Sequence, residues 1–209
     1  MFYEPRHGHG LAHNPFSAII APRPIGWIST RDGQGRDNLA PYSFFNAVAY
    51  SPPQVMFAST SAKPDRVGTK DSVAIIRETG VFCVNIVEYA ARDAMNASSA
   101  ALEAGADEFA HADITKAECH SIDAPRVGDA PAALECRMTQ IVKLQGKANY
   151  LVLAEVTGIH LRDDCLHDGI FDITRFRPLA RCGYRDYAVV EQVLSLARPD
   201  DAAQGNKKP

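Results

Sequence analysis

The sequence predicts a mainly β protein, a closed or partly closed antiparallel barrel capped by short helices. Three observations carry that expectation. Strand-like runs outnumber helical ones, they follow one another instead of alternating with helices, and each helical stretch is short and bounded by breakers. A chain of 209 residues suits one well-buried domain, placed at 15–190, between an N-terminal arm (1–14) and a C-terminal helix end with a disordered tail (191–209).

Taken in order, the first 22 residues are rich in His, Gly and Pro and lack periodicity, which suggests a surface arm. His7, His9 and His13 have no carboxylate or cysteine at a helical or turn spacing to complete a ligand set, so we expect no metal site there. From Arg23 to Ser43 the chain reads as two strands folded on each other. Pro24 to Thr30 ends in two hydroxyls, Arg31-Asp32-Gly33-Gln34-Gly35 carries turn chemistry, and Asn38 to Phe45 resumes an apolar and aromatic run. Ser29, Thr30, Asn38 and Ser43 stand where a strand should be apolar, so they bond one another and the backbone or face a polar ligand. Pro41 removes a ladder donor and assigns its strand to an edge, a bulge or a site of close approach.

Ser51-Pro52-Pro53 breaks the strand, and Gln54 to Ser59 begins another that ends in hydroxyls at Ser59, Thr60 and Ser61. After a polar loop, Asp71 reads as the N-cap of a helix through Thr79, stopped by Gly80. Val81 to Val87 is a buried strand with one polar member, Asn85. The Ala-rich stretch from Tyr89 to Ala112, interrupted by Ser98-Ser99 and Gly105, predicts two or three short helices. Leu134–Leu144 and Tyr150–Leu161 form a hairpin, Asp163-Asp164 turns the chain, and Val189 to Leu196 closes it as a helix.

Composition removes several function classes. Hydrophobic content of 46%, charged content of 22% and a formal charge of -3, without a basic run before Lys207-Lys208, disfavour a nucleic-acid partner. No run approaches the roughly 18 apolar residues of a membrane span. Five cysteines, odd in number and never spaced C-x-x-C, together with an N-terminus unlike a secretory signal, lead us to expect reduced thiols in a cytoplasm. Gly33-x-Gly35-x-x-Asn38 lacks the third glycine and the following helix of a dinucleotide fingerprint, and the chain holds no phosphate-binding P-loop, H-E-x-x-H or G-x-S-x-G motif.

The positive signal is a set of hydroxyls and cations at strand ends. Ser59, Thr60, Arg66, Lys70 and Ser72 surround a helix start, where free N–H groups and the helix dipole favour an anion; taken alone, the same loop also reads as an idle solvated one. Together with the Asn38–Ser43 strand, these residues meet the needs of a flavin mononucleotide: a phosphate clamp, backbone groups for the ring edge, and apolar cover from Trp27, Tyr42, Phe44 or Phe45.

Arg23-Pro24-Ile25-Gly26-Trp27-Ile28-Ser29-Thr30, Asn38-Leu39-Ala40-Pro41-Tyr42-Ser43-Phe44-Phe45, Ser51-Pro52-Pro53, Lys70-Asp71-Ser72 and Thr79-Gly80-Val81-Phe82-Cys83-Val84-Asn85 resemble the successive motifs of the flavin reductase-like family. Arg177-Pro178-Leu179-Ala180-Arg181-Cys182-Gly183 and Tyr187 resemble its C-terminal signature. The resemblance implies an FMN-binding split β-barrel with Greek-key topology, a homodimer with FMN near the subunit interface, and NADH or NADPH as electron donor. Carried over, Ser29, Thr30, Asn38, Ala40, Pro41, Tyr42 and Ser43 would line the ring and ribityl chain, and Ser59, Thr60, Arg66, Lys70 and Ser72 would bind the phosphate. Tyr184 departs from the family, which usually has glycine there; it could cover the flavin, alter nicotinamide access or simply pack. Arg175, Arg177, Arg181 and Arg185 either attract nicotinamide phosphates or form a solvated face. His167 is a second candidate beside the flavin, with a structural turn as its alternative.

The function expected is an NAD(P)H-dependent flavin reductase that transfers hydride from nicotinamide to flavin and feeds a monooxygenase or another acceptor. A non-enzymatic FMN electron-transfer protein reduced by a partner is the alternative. A relic of the fold that binds no flavin is disfavoured, because it would strand buried polar groups.

Overall fold

The computed structural model describes residues 1–62, 69–103 and 105–197. Its strands in chain order are β1 (Arg23–Pro24), β2 (Gly26–Arg31), β3 (Asp37–Tyr42), β4 (Phe45–Tyr50), β5 (Pro53–Ser59), β6 (Val81–Ile86), β7 (Lys116–Glu118), β8 (Pro125–Val127), β9 (Ala132–Lys143), β10 (Tyr150–Leu161), β11 (Leu166–His167), β12 (Ile170–Phe171), β13 (Leu179–Gly183) and β14 (Asp186–Val189). The helices are α1 (Phe16–Ile19), α2 (Asp71–Thr79), α3 (Arg92–Ala97), α4 (Glu108–His111) and α5 (Ile173–Phe176). Seven strands pair in the order β3-β2-β6-β9-β10-β5-β4, and β1-β13-β14 form a separate small sheet. The large sheet curls until β3 and β5 meet without a ladder between them. That gap makes a split barrel and leaves β3 a free edge.

The β2–β3 hairpin forms where expected. Asp32 closes its turn by accepting from the N–H groups of Gln34 and Arg36, each at 2.9 Å, while Gly35 takes a left-handed φ of 79°. Pro41 lies on β3, an edge strand where its missing N–H costs no ladder bond. Period-2 alternation then divides the core. Ile28 faces the barrel interior with Phe57, Phe82 and Val152, whereas Trp27 and Leu39 face a second core with Met95, Phe109 and Leu179. Because β2 is covered on both faces, it positions the barrel and its helical cap together.

Three expectations need correction. Helix α2 starts with Lys70 as its N-cap residue, and Asp71 occupies the first turn; the stop at Gly80, with φ 75° and its N–H on the Ile76 carbonyl, is as expected. The aromatic run after Asn38 is two strands, because the chain bends at Ser43-Phe44 and crosses from one sheet edge to the other. No helix covers Val189 to Leu196. Instead Val189 pairs with Leu179, Val190 donates to the Pro178 carbonyl, and residues 191–197 have no regular structure. Sheet pairing of β-branched residues outweighs a weak helical tendency there. The described residues from 198 onward are none, so the expected tail lies outside the described residues.

Candidate functional site

A cleft in two chambers runs along β3. The first, with a volume of about 270 Å³, is floored by Asn38, Ala40, Pro41 and Tyr42 and closed at one end by Lys70, Asp71 and Ser72 of the α2 start. Ser98, Ser99 and Glu108, from the helical cap, face them across the opening. Trp27 anchors that wall by donating from Nε1 to the Ser98 hydroxyl at 2.9 Å. Glu108 anchors it again by accepting from the Leu39 N–H at 3.1 Å. The same second core that buries Trp27 and Leu39 thus holds the far side of the cleft.

The α2 end brings a lysine and the first-turn N–H groups of a helix together. Lys70 stands with its ammonium 5.5 Å from the Tyr42 ring centroid, and burial lowers its pKa below the ordinary lysine value. Among the described residues no carboxylate forms an ion pair with it. Beside it, the first-turn N–H groups of α2 have no side-chain cap, so the helix dipole and the ammonium point to one place. The Ser72 hydroxyl donates to Asn38 Oδ1 at 2.8 Å, linking helix and strand.

Three nearby hydroxyls are buried and lack a hydrogen-bond partner among the described residues: Thr30, Tyr42 and Ser59. Burial pushes the Tyr42 phenol up to about 12, although the Ser72 and Ser59 hydroxyls nearby moderate the effect without forming well-made bonds to it. Burial likewise raises the Glu108 carboxyl, against the Leu39 N–H that lowers it. Stranded hydroxyls of this kind cost roughly 1 to 3 kcal/mol each until a ligand satisfies them.

The second chamber, about 360 Å³, continues past Pro41 and Ser99, which line both. Its walls include Arg23, Ser43, Phe44, Arg181, Tyr184 and Tyr187. Tyr184 is about half exposed, takes a left-handed φ of 46° and rests its ring 5.8 Å from that of His13. A glycine would adopt that backbone without strain.

Of the residues singled out from sequence, Asn38, Ala40, Pro41, Tyr42, Ser43, Lys70 and Ser72 meet in the cleft. Ser59 and Thr30 lie buried without lining either chamber, and Thr60 is exposed at the end of β5. Ser29 turns away from the cleft: its hydroxyl donates to the Pro125 carbonyl at 2.6 Å and accepts from Asn85 at 3.0 Å. Arg66 lies outside the described residues. His167 is exposed in the β11–β12 hairpin, 3.5 Å from Asp168, and lines neither chamber.

The arginine cluster disperses. Arg175 faces Asp172 at 3.8 Å, Arg177 pairs with Glu191, and Arg185 lines a separate hollow with Tyr89 and Arg92. Arg181 alone of the four reaches the second chamber. Sequence reasoning missed Ser98, Ser99 and Glu108; the interruption of an Ala-rich stretch by Ser98-Ser99 was their visible trace. Among the described residues no cluster of His, Cys, Asp and Glu could hold a metal ion, and no helix is long and apolar enough to cross a membrane.

A helix start without a side-chain cap from Lys70, a desolvated ammonium and the Tyr42 and Ser72 hydroxyls at the end of a groove fit the phosphate and polyol of a flavin nucleotide. The chain is similar to known proteins of one family. Residues 19–180 match the flavin reductase like domain. An uncharacterised protein of Halalkalibacterium halodurans is 31% identical over 86% of this chain and 87% of its own. The crystal structure of nitrilotriacetate monooxygenase component B from Bacillus cereus superposes with a TM-score of 0.80 at 26% identity, covering 90% of this chain and all 100% of the other. That of the 2-nitrobenzoate 2-nitroreductase of Pseudomonas fluorescens gives 0.77 at 25% identity over 88% of each. Motif order, split barrel and cleft converge with these matches, and the chain belongs to the flavin reductase-like family.

Proposed function

We propose that this protein is an FMN-dependent oxidoreductase that takes a hydride from NADH or NADPH and passes electrons to a separate acceptor. The observation that carries this reading is the convergence of Lys70, the α2 start and Ser72 on one end of the β3 groove. Lys70, the α2 N–H groups and Ser72 would hold the phosphate, with Ser59, Thr60 and Arg66 as the further members of the clamp. Asn38 and the β3 edge would line the ring and ribityl chain, with Ala40, Pro41, Tyr42 and Ser43. When bound, FMN supplies the two-electron chemistry, and the protein positions it. No acid or base is required of the chain, since hydride transfer depends on placing two rings in contact.

Two further elements belong to the proposal. The protomer works as a homodimer, in keeping with exposed apolar side chains at Phe16, Ile19, Ile20, Val193, Leu194 and Leu196; a light-scattering mass of one chain would count against it. The acceptor is a partner enzyme, as the name of the monooxygenase component B structure suggests. Its setting is the cytoplasm, in keeping with five thiols left free.

The test is the visible spectrum of the purified protein with FMN, recorded without oxygen as NADH and then NADPH are added. Bleaching of the flavin band faster than with free FMN is expected and names the donor. A bound flavin that stays oxidised turns the reading to an electron carrier reduced by a partner protein, and failure to bind FMN removes both.

A further inference from the structure

Two cations share the second chamber, with no acidic partner among the described residues. Arg23 and Arg181 stand directly opposite each other in the β1–β13 register, an arrangement in which like charges repel. Arg23 is only 7% exposed, and its Nε–H is buried with no acceptor among the described residues. Among the described residues, the side-chain hydrogen bonds of both arginines go to backbone carbonyls alone: Arg23 to Ser17 and Ile20, Arg181 to Tyr184. Burial and the charge of Arg181 both lower the Arg23 pKa, against Cys182, which raises it.

Aromatic rings fix these cations in place. Arg23 sits 5.7 Å from the Phe44 centroid and Arg181 sits 4.6 Å from that of Tyr187. With Tyr184, those rings give the chamber flat apolar walls, and Ser43 and Asn96 add polar groups at its edge. Concentrated positive charge with an orphaned donor, walled by rings and continuous with the groove along β3, describes a receptor for a flat anion.

We propose that the second chamber is the subsite for the molecule that exchanges electrons with the flavin, and that Arg23 and Arg181 select a planar compound carrying a carboxylate or phosphate. This rests on the flavin reading above for its purpose, and on the chamber itself for its chemistry. Arg23 also ties β1 to the α1 segment through Ser17 and Ile20, so Arg181 is the residue to vary.

The experiment titrates the FMN-loaded protein with benzoate, with its neutral counterpart benzamide, with oxidised nicotinamide mononucleotide and with inorganic phosphate, following the shift of the flavin band. We expect benzoate or the mononucleotide to bind at least tenfold more tightly than benzamide and than inorganic phosphate. Whichever of the two binds names the anion as carboxylate or phosphate. Arg181→Gln should weaken that ligand tenfold or more and Arg181→Lys less, with FMN affinity unchanged in both. If neither benzoate nor the mononucleotide binds more tightly than benzamide and inorganic phosphate, or if affinity is unchanged in Arg181→Gln, the inference is overturned while the flavin reading stays in place. Should FMN itself not bind, the flavin reading fails instead, and calorimetric titration of the flavin-free protein with the same four compounds still decides whether the chamber prefers a flat anion.

Discussion

Two polar clusters built around the β2–β3 hairpin look alike in sequence and behave oppositely in space. On one side of β2, Asn85 donates to the Trp27 carbonyl at 2.9 Å and to Ser29 at 3.0 Å, and accepts from the Val127 N–H at 2.8 Å. Ser29 completes that knot by donating to Pro125. Its named polar groups are paired within the fold, and it fastens β2, β6 and β8 together. On the other side, Tyr42, Ser59 and Thr30 are equally buried, yet their hydroxyls have no partner among the described residues. A polar residue in a strand is therefore a question about partners. Closed knots stabilise the fold, and open ones are candidates for a ligand.

The same contrast holds for charge. Glu135, 1% exposed, accepts from the N–H groups of His120 and Ser121, from the Ser121 hydroxyl and from His160 Nε2, all between 2.5 and 2.7 Å. Burial would raise its carboxyl, but those bonds win and hold it at about 2. Gly158 stands opposite it at a β-bulge, where a Cβ would come within 3.3 Å of the carboxylate carbon. Lys70, by contrast, is a partly buried cation with no carboxylate partner among the described residues.

The largest effect should follow from opening the closed charge knot. Glu135→Ala leaves its donors stranded and should lower stability by about 3 to 5 kcal/mol in urea unfolding. The carboxyl is depressed from its ordinary 4.5 to about 2, so its contribution is full above pH 4.5 and is lost as pH falls toward 2. The wild type should thus lose about 3 kcal/mol more than the variant across that window. Parallel acid slopes for the two proteins would show that Glu135 is not the group responsible.

Next comes the open charge. Lys70→Ala should weaken FMN binding by about 1.5 to 3 kcal/mol, roughly tenfold to a hundredfold, and leave the ligand-free fold as stable as before. Fluorescence titration separates these outcomes, and unchanged affinity removes Lys70 from the clamp.

A paired substitution then sets the two clusters side by side. Ser29→Ala breaks the closed knot and should cost about 1 to 2 kcal/mol of stability without touching FMN affinity. Tyr42→Phe removes a buried hydroxyl that has no partner among the described residues, so the ligand-free protein should gain about 1 kcal/mol of stability while FMN binding weakens by about 1 kcal/mol. If both substitutions destabilise equally, the distinction between the clusters is lost.

Local signals explain what could be read in advance. The turn residues between β2 and β3, Gly80 after α2, and Ser51-Pro52-Pro53 before β5 act within a few residues, so their elements fall where expected. Partner choice does not act locally. Ser29 and Tyr42 are both polar members of the hairpin, and what separates them is Pro125 and Asn85, brought in from β8 and β6. Glu108 and Ser98 enter the cleft only because Trp27 and Leu39 hold the helical cap against β2 and β3. The arginines from 175 to 185 are dense in sequence, but a helix, a turn and two strands direct them to separate partners.

The smallest expected effect concerns Tyr184, where conformation and function pull apart. Its left-handed φ of 46° costs a non-glycine residue about 1 kcal/mol. Tyr184→Gly removes that strain but frees the unfolded chain by about 0.5 to 1 kcal/mol, and the two terms nearly cancel. The ring is half exposed and lies 5.8 Å from that of His13 in the arm, so little buried surface is lost with it. The melting temperature should therefore stay within about two degrees, since 1 kcal/mol shifts a domain of this size by about 2 to 4 °C. What should change is the second chamber, where Tyr184 forms a wall beside Arg181. FMN affinity should hold within about twofold, while a planar anion bound beside Arg181 should weaken severalfold as its flat support disappears. A drop of many degrees would instead make Tyr184 a packing residue, a structural member of the closed class that happens to border the open one.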